Sequence, residues 1–126
     1  MIKTLLIVGF GGAIGSIFRY LTNWFVSKYF QSSFPISTLL VNVLGSLLIG
    51  VLIGYFGKYF PENHPLKLLL IVGFCGGFTT FSSFALENYN LLQNNQQITA
   101  YLYMATTIIL TLSAVGLGSY LSKYLQ

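Results

Sequence analysis

Four stretches of this chain, about residues 4 to 27, 37 to 57, 66 to 92 and 98 to 121, are almost uninterruptedly apolar. Each reaches the roughly 20 residues that an α-helix needs to cross the hydrocarbon core of a bilayer. Between them they occupy nearly the whole sequence. Only 6% of the residues are charged, six basic and two acidic, whereas a water-soluble domain carries about a quarter. Runs of this length satisfy their own backbone hydrogen bonds in lipid only as helices. The sequence therefore specifies an all-α membrane protein with four transmembrane helices, in a single domain over residues 1–126. At about 100 to 200 residues per domain, no separate catalytic module fits beside them.

The connections agree with this division. Residues 29 to 36 contain Pro35, residues 58 to 65 contain Pro61 and Pro65, and residues 92 to 97 read Leu-Gln-Asn-Asn-Gln-Gln; all three are loop signatures. The first stretch, with Lys3 ahead of an apolar run, has the start of a signal peptide, but no small-residue cleavage site follows and the segment runs on to Trp24 and Tyr29. It reads as a retained span with an interfacial aromatic end. Lys3, Lys58, Lys67 and Lys123 fall on one side, against Lys28 and Arg19 on the other, which leans towards termini inside. The formal charge of +4 does not point to nucleic acid, because the bases are scattered singly and form no stripe. Cys75 stands alone without a disulfide or metal-ligand companion, which is the pattern of a buried structural thiol.

Within the spans, Thr38, Asn42, Ser46, Gly50 and Gly54 step by four along one helix face, as do Gly11 and Gly15. Small residues at this spacing let helices pack closely. Gly9-Phe10-Gly11 is followed by Ile14 where a dinucleotide fingerprint requires glycine, so that motif fails. The third span is different. Its centre reads Gly73-Phe74-Cys75-Gly76-Gly77-Phe78-Thr79-Thr80-Phe81-Ser82-Ser83-Phe84, a poor continuous helix that predicts a break near Gly76 to Thr80. Backbone freed at membrane depth must be satisfied by protein, water or an ion, so such breaks mark sites or well-braced kinks. Phe81 and Phe84 share a face after the break, and their ring edges are electropositive. Asn42, at comparable depth, brings an amide donor.

These same segments, Gly11-Gly12-Ala13-Ile14-Gly15-Ser16-Ile17-Phe18-Arg19-Tyr20, Ser37-Thr38-Leu39-Leu40-Val41-Asn42-Val43-Leu44-Gly45-Ser46, and the run from Gly73 to Phe84, make the chain resemble the Fluc (CrcB) family of fluoride channels over essentially all four spans. The family usually has Ala where Ser16 stands and often Gly where Ser37 stands, both small-for-small changes. The resemblance implies a passive fluoride-selective channel that exports fluoride from the cytoplasm. It also implies an antiparallel, dual-topology homodimer in the cell (inner) membrane, with two pores and a structural central sodium ion. By the same resemblance Phe81 and Phe84 line the pores, and Asn42 and Thr38 donate hydrogen bonds to fluoride. In the fourth span Tyr103, Thr107 and Thr111 fall on one face at four-residue steps; the resemblance puts the Tyr103 and Thr111 positions on the polar side of the path, and Ser82 and Ser83 add hydroxyls to it. The carbonyls of Gly76 and Thr79 hold the sodium.

Arg19, the one base well inside a span, is expected in a vestibule or satisfying backbone carbonyls. Glu87 is expected in a structural or mouth role, pairing with a base or reaching water, and His64 is expected to lie in an exposed loop. A small drug exporter would place an acidic residue in the first span, where none occurs between Thr4 and Ser27. A non-transporting assembly subunit would leave the broken span unexplained. An enzyme would need a paired acid and base, a metal cluster or a phosphate loop, and the sequence offers none of these.

Overall fold

The computed structural model describes residues 1–125. The first two spans are continuous helices, α1 (Ile2–Tyr29) and α2 (Ile36–Tyr59). The third is assembled from four pieces: α3 (Pro65–Lys67), a π-helical stretch (Leu68–Cys75), α4 (Gly76–Phe78) and, after two extended residues, α5 (Phe81–Gln93). The last span is α6 (Gln97–Ser122). Taking Pro65–Gln93 as one span, four segments of 24 to 29 residues are long and apolar enough to cross a membrane. Their large side chains point outward in numbers no soluble protein would tolerate, Phe10, Ile17, Trp24, Ile98 and Leu112 among them. Hydrocarbon is the solvent that makes this surface stable.

Two glycine seams set the packing. In the first, α1 lies against the π stretch and α4; a Cβ on Gly11 would run into the Leu69 carbonyl, and one on Gly15 into the Phe74 carbonyl. In the second, α2 lies against α6, where Gly50 meets Val115 and Gly118 meets Leu47, backbone to backbone. The four-residue steps seen in the sequence thus do bring helices together. Ser46, on the same face, lines a cavity shared with α6.

The break falls inside the expected window but at its far end. Gly76 and Gly77 remain helical, and Thr79 (φ −80, ψ 160) and Thr80 (φ −154, ψ 122) are the extended pair. The reason is polar. Thr80 caps α5, its Oγ1 accepting the Ser83 N–H at 3.2 Å, and its own backbone is taken by Asn42 of α2.

His64 departs from the exposed loop expected of it. It is half-buried, its ring lies 4.1 Å from that of Phe60, and its Nδ1 accepts the Leu66 N–H at 3.3 Å, capping the third span. Lys67 is buried as well, its Nζ held 2.8 Å from Glu62 Oε1.

Candidate functional site

Every feature of the site radiates from the two extended residues. Asn42 Nδ2 donates to the Thr80 carbonyl at 3.0 Å, and Asn42 Oδ1 accepts the Thr80 N–H at 2.8 Å. One amide side chain thus replaces two hydrogen bonds that a continuous helix would have made. Arg19 of α1 braces the neighbouring peptide, its Nη1 donating to the Thr79 carbonyl at 3.1 Å. Because the Thr80 N–H is committed to Asn42, the Gly76 carbonyl loses the i+4 donor that an α-helix would supply. Thr79 still closes its own turn, N–H to the Cys75 carbonyl at 3.0 Å and Oγ1 to the same oxygen at 2.9 Å.

Beside the break, α2, the third span and α6 enclose a cavity of about 610 Å³. Asn42, Thr79, Phe81, Phe84, Thr107 and Thr111 contribute to its wall, along with Gly76, and among the described residues no charged side chain does. The Thr107 hydroxyl is buried and has no partner, whereas Thr111 Oγ1 turns back to the Thr107 carbonyl at 2.6 Å. Phe81 and Phe84 lie with ring centroids 5.5 Å apart, and Phe84 continues to Tyr103 at 5.1 Å. Phe81 is 77% exposed. This chain's own helices therefore leave one side of that ring bare.

A second polar cluster lies deeper, off the cavity wall. Thr38 Oγ1 donates to Glu87 Oε1 at 2.6 Å and the Tyr103 hydroxyl to Glu87 Oε2 at 2.7 Å. Thr38 and Tyr103 are fully buried.

A sequence profile of the family described as "CrcB-like protein, Camphor Resistance (CrcB)" matches residues 6–119. The chain belongs to the CrcB family. Three relatives carry the name "Fluoride-specific ion channel FluC". The protein of Flavobacterium psychrophilum is 44% identical over 98% of this chain and 99% of its own length. That of Azobacteroides pseudotrichonymphae is 41% identical over the same shares. That of Ignicoccus hospitalis is 44% identical over 98% of each. With four helices able to span a bilayer, this CrcB chain is a multi-pass membrane protein.

The CrcB fold gathers the residues singled out in the sequence into two groups. Asn42, Gly76, Thr79, Phe81, Phe84, Thr107 and Thr111 share the cavity, whereas Thr38 and Tyr103 join Glu87 behind it. Ser82 and Ser83 stay at the start of α5, where Thr80 Oγ1 donates to Ser83 Oγ at 3.2 Å and bonds Ser82 Oγ at 3.3 Å. Glu87 has no basic partner among the described residues; its carboxylate accepts from two hydroxyls, which is a structural role. α5 turns Glu87 inward onto Thr38 of α2 and Tyr103 of α6. Thr80 was not singled out as a site residue, although its place three residues ahead of Ser83 is a helix-cap signature. Ser46 and Cys75 also join the cavity wall.

Proposed function

We propose that this chain is a fluoride-selective passive channel that works as an antiparallel homodimer with two pores in the cell (inner) membrane. It lets fluoride leave the cytoplasm down its gradient. The observation that carries this reading is the cavity beside the break, where an amide, four threonines and two phenylalanine rings meet without a charged lining residue. The names of the relatives point the same way.

Fluoride is small and strongly hydrated, so a pore must replace its water with fixed donors while binding weakly enough for release. The amide nitrogen of Asn42 has two protons, and the Thr80 carbonyl takes one of them. The other is available to an anion. The unpartnered Thr107 hydroxyl is a second donor. Phe81 and Phe84 add electropositive ring edges, and a neutral wall holds an anion less tightly than a fixed lysine or arginine would. A second copy packed against the open side would cover Phe81 and give each pore walls from both subunits. The four-to-two division of bases between the two sides is modest enough for opposed insertion of the two copies. Arg19 and Glu87 brace the pathway, Thr38 and Tyr103 hold Glu87 from behind it, and Ser82 and Ser83 supply hydroxyls along its margin.

The residues at the break fit a sodium ion at the dimer centre. Their donors are neutral carbonyl oxygens, Gly76 O has lost its helical partner, and Thr79 O keeps a lone pair beyond the one Arg19 uses. Gly76 and Thr79 from each subunit would hold the ion. Neutral oxygens suit a monovalent cation, whereas calcium or magnesium calls for carboxylates.

Fluoride efflux from liposomes holding the purified protein, with sodium on both sides and chloride as control, tests the reading. Rapid fluoride release with little chloride release is expected. Folded protein that releases neither would overturn it.

A further inference from the structure

The five lysines of this chain are not alike. Lys28 lies over Trp24 (5.4 Å), Lys58 over Tyr59 (5.4 Å) and Lys123 over Tyr120 (5.9 Å), and Lys67 pairs with Glu62. Lys3 has neither an aromatic nor an acidic partner among the described residues. The only other acidic side chain, Glu87, is held by Thr38 and Tyr103.

Lys3 stands instead at the end of a hollow of about 370 Å³, walled by Leu6, Ile7 and Phe10 of α1 and by Leu66 and Leu69 of the third span. Apart from Lys3 the wall is apolar, and it shares no residue with the cavity beside the break. From Lys3 to Phe10 the helix rises about 10 Å, so the hollow runs from the end of the span into the hydrocarbon layer. Its placement decides what fills it. Water gains nothing from an apolar wall at that depth, and the surrounding solvent is acyl chain. The unpaired ammonium at the outer end lies at headgroup level, where it attracts negative charge.

We infer that this hollow seats one anionic phospholipid, its acyl chain against Leu6, Phe10 and Leu69 and its phosphate on the Lys3 ammonium. The site does not depend on which ion the protein carries.

Native mass spectrometry of the full-length protein, given equal amounts of phosphatidylglycerol and phosphatidylcholine with identical acyl chains, tests the inference. The wild type should retain phosphatidylglycerol about fivefold over phosphatidylcholine, the factor one lysine supplies near an anionic surface. Lys3→Gln should abolish that preference and Lys58→Gln should leave it. Leu6→Trp, which crowds the hollow from a lipid-exposed position, should lower retention of both lipids. Equal retention of the two lipids by the wild type would overturn the site. So would equal losses from Lys3→Gln and Lys58→Gln, which would mean a diffuse positive field, or undiminished retention in Leu6→Trp.

Discussion

Asn42 is the residue on which the break depends. Its two amide atoms satisfy both backbone groups of Thr80 at a depth where lipid offers none. Asn42→Asp keeps the acceptor but sets a second oxygen against the Thr80 carbonyl and adds negative charge to the proposed anion path. Fluoride efflux should fall by tenfold or more, and a wild-type rate would remove Asn42 from the pathway. Glu87 allows a finer comparison. Glu87→Gln can still accept from one hydroxyl, whereas Glu87→Ala leaves the buried Tyr103 hydroxyl unpaired. The alanine variant should therefore be less stable than the glutamine variant by about 1–3 kcal/mol, read as a difference in unfolding free energy in detergent. Arg19→Lys keeps the charge but loses the planar fork that reaches the Thr79 carbonyl. It should slow efflux, and wild-type flux would count against the brace.

At the scale of elements, the glycine seams and the jointed third span explain how polar groups come to sit in the bilayer at all. Close approach of α1 to the π stretch and α4 brings Arg19 within reach of the break, and close approach of α2 to α6 flanks the cavity. Gly15→Ala would drive a methyl into the Phe74 carbonyl, and overpacking of this kind costs about 1–3 kcal/mol. Gly116, with open space around it, is the control: Gly116→Ala should be neutral or slightly stabilising through helix propensity. A lower thermal midpoint for Gly15→Ala alone is the expected result. Hydropathy located the third span but not its joints, because an i+5 ladder and an i+4 ladder bury the same kinds of side chain. The exact site of the break was hidden for another reason. Gly76 and Gly77 are the poorer helix formers, yet Thr79 and Thr80 are extended because Asn42 and Arg19 compensate their backbone.

For the whole molecule, the consequence is an incomplete surface. Phe81 stands on the cavity wall yet is 77% exposed, and in the proposed dimer a second copy covers it. Phe81→Ile and Phe84→Ile keep most of the apolar volume while removing the ring edge. Both should slow fluoride efflux at least tenfold while leaving the dimer intact in detergent, and undiminished flux in the pair would refute the ring-edge mechanism. A tag on the N-terminus should be reachable from both faces of the membrane in about equal amounts. A single orientation would sink the antiparallel arrangement.

The sequence by itself determined the solvent, the number of spans, the window of the break and the family, because each is written in local runs: apolar stretches of about 20 residues, loop prolines and contiguous motifs. The tertiary structure alone decided which polar group answers which. Asn42 reaches 38 residues along the chain to Thr80, Thr38 reaches 49 to Glu87, and Arg19 reaches 60 to Thr79. No local pattern records such pairings. They follow from the angle at which glycine-lined helices meet, and from the demand that every polar group held in hydrocarbon find its partner within the protein.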